Sequence, residues 1–246
     1  MNCRICNSAN TQRFFEDLNR CNKCGHIFKT DDVDPKVYER YISSAHARVT
    51  PEHVINAKYA AETRFNFFQH FAKKGNVLEV GCGHKYFLDE LTKNGYPAEG
   101  TELSKLMIDQ IPYKIHYGTL SELDLKKYDN ICAFHVLEHF NDPIKELKWI
   151  EQHLADDGAI IMEFPAVILF PNITDYKDLY EHWHVNYFNQ RSLNLLLEKC
   201  NLTNAFQMNY WNGDTLSDTL VCAIKKNRGT PAIRDNVYRY LRGEKK

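Results

Sequence analysis

Asn76-Val-Leu-Glu-Val-Gly-Cys-Gly-His84, followed by Tyr86-Phe-Leu88, decides the fold. Val77, Leu78 and Val80 form a short apolar run between Gly75 and Gly81, the pattern of a buried parallel strand. Gly81 and Gly83 then turn the chain without Cβ atoms, so backbone amides can come against a ligand. A helix opening near Lys85 points its N-terminal dipole into the same space. Strand, Gly-x-Gly turn and helix make a nucleotide-type site. A dinucleotide fingerprint needs Gly at the sixth position, where this chain has Tyr86. A phosphate loop needs Gly-Lys-Ser/Thr, and none is present.

Strand and helix signals alternate downstream of this turn. A helix is predicted over Phe87–Lys93, then a strand over Pro97–Glu102. Glu102 ends that strand about twenty residues past the glycines, where a carboxylate can accept both ribose hydroxyls. Tyr113–Tyr117 and the apolar Tyr128–Phe134 read as the third and fourth strands, with Gly118-Thr-Leu120 opening a loop between them. Asp142-Pro143 is a helix start, and that helix is expected to run to about Ala155. Asp156-Asp-Gly158 turns into a fifth strand, Ala159–Phe164. Arg191–Cys200 reads as a helix, and Asn204–Trp211 and Asp218–Lys225 as two closing antiparallel strands. The expected fold is α/β: a doubly wound, mostly parallel sheet with helices on both faces. Ligands in such sheets bind beyond the carboxyl ends of the strands, where Gly81, Glu102, Leu120 and His135 fall.

The N-terminus carries a second chemistry. Cys3-x-x-Cys6 and Cys21-x-x-Cys24-Gly25 bracket fourteen residues. Two such knuckles complete a tetrahedron around one zinc ion, and four protein ligands leave no open position. The expected metal is structural Zn2+ held by Cys3, Cys6, Cys21 and Cys24, because few apolar residues lie between the pairs. Asp31-Asp-Val-Asp-Pro35 starts a helical bridge rich in rings: Tyr38, Tyr41, Tyr59, Phe65, Phe67, Phe68 and Phe71. These rings cap the main domain, or Tyr38, Tyr41 or His46 closes over the site as a lid hinged at Ser43-Ser44. Four segments follow: a zinc ribbon at 1–30, a bridge or lid at 31–75, the main domain at 76–226 and a polar, basic tail at 227–246.

The 246 residues suffice for one α/β domain with a small appendage. A net charge of −1 gives no global attraction to nucleic acid or anionic lipid. No apolar run reaches the roughly 18 residues of a membrane span, and Met-Asn-Cys-Arg lacks a secretory core. Four of the eight cysteines stand as Cys-x-x-Cys pairs and the rest lie in apolar stretches, an arrangement that suits the reducing cytoplasm. The sequence sets no oligomeric state.

Two histidine clusters remain. His135-Val-Leu-Glu138-His139 spells the inverted zinc-peptidase signature, but that chemistry needs one long helix, and Asn141-Asp-Pro143 interrupts here. Phe134-His-Val-Leu-Glu-His-Phe-Asn-Asp-Pro143 instead resembles the post-strand-four motif of class I S-adenosylmethionine-dependent methyltransferases. Glu79-x-Gly81-x-Gly83 resembles the first motif of that family, which often continues with Gly where this chain has Lys85. With Asp157-Gly-Ala-Ile-Ile-Met-Glu-Phe-Pro165 the resemblance covers most of Asn76–Pro165. It implies S-adenosylmethionine as cofactor, with Glu79 and the Gly81-Cys82-Gly83 turn at the methionine end and Glu102 on the ribose. Leu103 and Leu120 would flank the adenine, and His135 would sit beside the departing sulfur.

Tyr180-Glu-His182-Trp-His184-Val-Asn-Tyr187-Phe188 resembles a His-Glu-His-x-x-Tyr-Phe segment of methyltransferases from deoxysugar, capsule and antibiotic pathways. The sugar C-methyltransferases among them also carry an N-terminal Cys-x-x-Cys zinc domain. Trp183 stands where that segment has Glu, which weakens C-methylation; a hydroxyl acceptor needs only one base. The resemblance implies a small-molecule acceptor, a sugar hydroxyl on a nucleotide-linked or polysaccharide precursor. His184, His182 or His139 would take its proton. Two rivals stand beside this reading. One is an RNA methyltransferase clamping through the ribbon, whose first 30 residues hold five Arg/Lys against two Asp/Glu. The other is a binding module whose cofactor loop Lys85 has spoiled.

Overall fold

The computed structural model describes residues 1–46, 49–109, 111–165, 183–211 and 217–225. The apolar runs become the centre of a seven-stranded sheet. It contains β4 (Val77–Val80), β5 (Ala98–Glu102), β6 (Ile115–Tyr117), β7 (Tyr128–Phe134), β8 (Leu154–Pro165), β10 (Leu202–Trp211) and β11 (Ser217–Lys225). Their order is β10-β11-β8-β7-β4-β5-β6. Strands β6, β5, β4, β7 and β8 run parallel, while β11 lies antiparallel to β8 and β10 to β11. β4 is buried along its whole length, as a central parallel strand should be.

Elements α3 (Tyr86–Lys93), α5 (Pro143–His153) and α6 (Gln190–Lys199) follow the glycine turn and two side-chain caps. The Asp142 side chain accepts from the Lys145 amide and Pro143 opens α5; the Asn189 side chain accepts from the Ser192 amide at the head of α6. Helix α5 stops at His153, two residues before the expected end, because Leu154 already pairs with Tyr128 in the sheet. The third strand is shorter than expected, Ile115–Tyr117, since only those residues pair with β5. Between them lie α4 (Lys105–Ile108) and single 3-10 turns at Leu120–Glu122 and Leu137–His139.

The N-terminal strands β1 (Thr11–Phe15), β2 (Leu18–Cys21) and β3 (Ile27–Lys29) form a second sheet. It is completed by β9 (Asn186–Tyr187), with Ile27 opposite Tyr187 and Phe28 opposite Asn186. Cys3, Ile5, Cys21, Cys24 and Phe28 share one core with Phe164, Phe188 and Leu196. The cysteine segment therefore draws its apolar partners from the far end of the chain. Spacing alone hid this, because the partners lie some 160 residues away.

The bridge is two helices, α1 (Pro35–His46) and α2 (Pro51–Phe71), the second capped by Thr50. Phe65, Phe67, Phe68 and Phe71 are buried against the sheet, while Tyr59 is exposed. Ser43-Ser44 is no hinge: both residues lie inside α1, and Ser43 Oγ hydrogen-bonds Ser104 Oγ at 2.8 Å, fastening the helix to the loop after β5. The side chain of His46 and the tail after Lys226 lie outside the described residues. No described helix is long and apolar enough to cross a membrane.

Candidate active site

The glycine turn leaves β4 in left-handed conformations, φ 66° at Gly81 and 48° at Gly83. A Cβ on Gly81 would strike Val136, whereas one on Gly83 would meet nothing within 4 Å. Lys85 adopts φ 64°, the conformation a third glycine would supply, and its Nζ pairs with Asp89 at 2.7 Å. Glu102 anchors the turn from β5: Oε2 accepts from the Gly83 amide at 3.0 Å, and Oε1 accepts from Leu103 and Ser104 at 2.8 and 2.9 Å. Cys82 is buried under the turn and its amide donates to Thr101. Leu120 is buried in its 3-10 turn beyond β6, and Leu103 directly follows Glu102.

Glu79 is buried below the turn, and its Oε2 has no hydrogen-bond partner among the described residues. Burial pushes its carboxyl well above the usual range, Arg64 only partly offsetting this and Glu102 adding to it. An orphaned acidic group beneath an open glycine turn fits a cationic ligand, and S-adenosylmethionine carries an ammonium and a sulfonium. The residues present therefore suit that cofactor.

A connected set of acids and bases lies beside the turn, at the ends of β7 and β8. His135 sits at φ 55°, its amide donating to the Glu163 carbonyl at 2.7 Å. Its ring bridges two carboxylates, Nε2 to Glu163 Oε1 at 2.9 Å and Nδ1 to Glu138 Oε1 at 3.4 Å. Burial opposes its charge, but Glu138 and Glu163 outweigh it and raise its pKa to about 10. Glu163 is buried and takes Arg64 of α2 in a two-pronged pair. Against the penalty of burial, His135 and Arg64 hold its carboxyl down at about 2.

Glu138 is fully buried, and its oxygens face three histidines. His139 Nε2 stands 3.9 Å and His184 Nε2 4.0 Å from Oε1. The two rings meet edge to face at 4.9 Å. Burial lowers the His184 pKa to about 4 despite Glu138, so this imidazole is neutral at pH 7. Helix α1 covers the cluster: Tyr38 lies 5.1 Å from the His139 ring and Tyr41 stacks on Trp183 at 4.4 Å. His184 and His139 are therefore brought together, while His182 and Tyr180 lie outside the described residues. Sequence reasoning missed Glu138, Glu163 and Arg64 as members of the site. Arg64 and Glu163 are 99 positions apart, and no local pattern links them.

At the other end, one Sγ from each of Cys3, Cys6, Cys21 and Cys24 lies within 4.8 Å of the others, with Cys3–Cys24 at 3.6 Å and Cys6–Cys21 at 3.5 Å. A tetrahedron with Zn–S bonds near 2.3 Å has edges of about 3.8 Å, so the set fits zinc.

Sheet order, glycine turn and acidic strand ends define a class I methyltransferase architecture. Residues 38–205 match the model of the methyltransferase domain family. The chain belongs to that family, and with it to the S-adenosylmethionine-dependent methyltransferases. The tRNA U34 carboxymethyltransferase of Aeromonas salmonicida is 28% identical over 147 residues, 52% of this chain and 44% of that protein. The ubiquinone biosynthesis O-methyltransferase of Coxiella burnetii is 28% identical over 114 residues, 41% of this chain and 47% of that protein. The chain thus spans about half the length of the curated relatives it matches. Among solved structures, magnesium protoporphyrin IX methyltransferase from Synechocystis PCC 6803 with bound SAH superposes with a TM-score of 0.62 at 14% identity, over 78% of this chain and 100% of that one. The 1,6-didemethyltoxoflavin-N1-methyltransferase of Burkholderia thailandensis gives 0.61 at 14% identity, over 89% and 100%. These likenesses show the fold.

Proposed function

We propose that this chain methylates a small-molecule acceptor, most specifically a sugar hydroxyl on a nucleotide-linked or polysaccharide precursor. The observation that supports it best is the junction of two half-sites. Val136 abuts Gly81, so the glycine turn and the His139–His184 wall belong to one rim. S-adenosylmethionine supplies an electrophilic methyl group on sulfur. Glu102 would hold the ribose, the Gly81–Gly83 amides and Glu79 the methionine end, and Leu103 and Leu120 the adenine. His135, beside this end, would present its backbone toward the sulfur. His184 first, His139 or His182 otherwise, would accept the hydroxyl proton, and fixing both reactants supplies much of the acceleration. The aromatic wall of Tyr38, Tyr41 and Trp183 suits the apolar face of a sugar ring. Structural Zn2+ at Cys3, Cys6, Cys21 and Cys24 would fix the ribbon, and the cytoplasm would supply such a precursor.

A second reading, an RNA acceptor, gains support from the name of the Aeromonas relative. The ribbon's charge favours it little: Arg4 pairs with Asp32 and the buried Lys29 with Asp17. Incubation with labelled S-adenosylmethionine and, separately, nucleotide sugars and bulk tRNA tests the choice. Label on the sugar fraction upholds the proposal. Salt-sensitive label on tRNA alone replaces it, and failure to bind S-adenosylmethionine in calorimetry removes both.

A further inference from the structure

The proposed reaction leaves one feature unexplained: a buried carboxylate that makes no hydrogen bond. Neither oxygen of Glu138 has a hydrogen-bond partner among the described residues, although Oε1 stands 3.4 Å from His135 Nδ1. His135 already faces one side of this carboxylate; toward His139 and His184 it is left without a hydrogen bond, a costly arrangement that a metal ion there would offset. We propose that Glu138, His139 and His184 hold a divalent transition-metal ion of the Zn2+ type, with a further position open to an acceptor hydroxyl.

Geometry carries this. One ligand atom from each residue lies within 4.8 Å of the others. The 3.9 and 4.0 Å separations from Glu138 Oε1 are slightly wider than the roughly 3.4 Å edge of a tetrahedron with 2.0–2.2 Å bonds. Small side-chain adjustments close that gap. The His139 tautomer is set by its other nitrogen: the Trp183 carbonyl at 3.0 Å can only accept, so Nδ1 carries the proton. The lone pair then sits on Nε2, facing the carboxylate. A carbonyl behind a ligating imidazole is the usual support of a metal ligand. The His139 lone pair turned toward the carboxylate repels it, and an ion between them reverses the sign.

Donor type narrows the ion. Two imidazoles and one carboxylate suit zinc and its first-row neighbours and disfavour Mg2+ and Ca2+, which want oxygen. Three protein ligands leave room for an exogenous oxygen, unlike the four-thiolate set. The His139 and His184 side chains keep 18% and 14% exposure, which leaves an approach to the site. The ligand set also differs from that of an inverted zinc peptidase. His135 has its Nε2 occupied by Glu163, and His184 supplies the second imidazole from a segment 45 residues away. That the open position takes an acceptor hydroxyl rests on the proposed function, with the ion then activating the hydroxyl in place of His184, whose lone pair it would occupy; binding of the ion does not rest on it.

Titration of the untagged, metal-stripped full chain with Co2+, with no cofactor or acceptor present, tests the site. The expected result is two equivalents. One gives the strong thiolate-to-cobalt charge-transfer absorption of the cysteine set. The other adds only weaker visible bands from a nitrogen and oxygen site. Glu138→Gln and His184→Gln, each with circular dichroism like the parent's, should lose the second equivalent and keep the first. Zinc content after reloading should follow the same pattern. Saturation of the parent chain at the thiolate equivalent alone overturns the inference, as does retention of both equivalents by both variants. Calorimetry with S-adenosylmethionine separates the two proposals. A chain that binds the cofactor but only the thiolate-bound ion keeps the methyltransferase reading and loses the metal. A chain that takes both ions but no cofactor does the reverse.

Discussion

If Glu102 serves the cofactor and His184 the acceptor, as proposed, their substitutions should separate accordingly. Glu102→Ala removes the group that takes the Gly83, Leu103 and Ser104 amides and that would, on the proposed reading, hold the ribose. Affinity for S-adenosylmethionine should fall by about 1.5–3 kcal/mol, roughly ten- to a hundredfold, measured by calorimetry. Glu102→Asp should fall between, because the shorter arm cannot reach both the turn and a diol. His184→Gln should instead leave cofactor affinity unchanged and slow single-turnover methyl transfer by about 10²–10⁴-fold. Parent rates in that variant would mean that positioning alone carries the step. At this scale the geometry of the candidate site was most legible where it follows a local pattern. The glycine turn, Glu102 beside it and the clustering of the four cysteines follow from spacing, whereas Glu138 was hidden inside a motif read for its histidines. The Arg64–Glu163 pair was invisible because chain distance says nothing about it.

Among the elements, β4 and β7 were read well because each is a largely apolar run buried in the sheet. Tyr128–Phe134 is bounded as its composition suggests. The sheet's polar pins were not legible. Glu99 on β5 collects Lys114 and His116 from β6 and its approach, Lys126, and the Tyr128 hydroxyl from β7. Burial works against its charge, but Lys126, His116, Tyr128 and Lys114 together hold its pKa at about 2. An unfolded Glu titrates near 4.3. The folded value is the lower one, so the stabilisation is complete above about pH 5 and is lost as pH falls toward 2. Glu99→Gln should therefore cost about 2–3 kcal/mol in urea unfolding at pH 7 and progressively less below pH 4. A gap that stays constant from pH 7 to pH 3 would mean that Glu99 packs rather than pairs. The ends of α3, α5 and α6 were legible to within two residues, while the break between α1 and α2 was not, and Ser43-Ser44 misled because both serines lie inside α1.

Across the whole molecule, the cysteine segment is built into the same core as the catalytic rim. Strand β3 pairs with β9, and the Lys29 amide donates to the Val185 carbonyl, one residue past His184. Val185 in turn donates to the Glu138 carbonyl. The buried His26 reaches Asn186, whose own side chain donates to Phe140, and Asn189 donates to the Cys24 carbonyl. From spacing alone a chelator is expected to loosen residues 1–30 and leave the main sheet folded; the packing extends the loosened region to β9 and α6. If zinc closes the four thiolates, Cys21→Ser should lose that ion and also expose β9 and α6, because Ile5 and Phe28 pack with Phe188 and Leu196. Hydrogen exchange should then show lost protection at residues 185–197 as well as in the ribbon, with β4 and β7 still protected. Methyl transfer should fall with it, since the segment carrying His184 has lost its strand partner. Exchange confined to residues 1–30, with parent activity, would show that β9 holds its place without the ribbon. The contacts of Lys29 and Cys24 would then be passengers on a rim held by Glu138 and Phe140 alone.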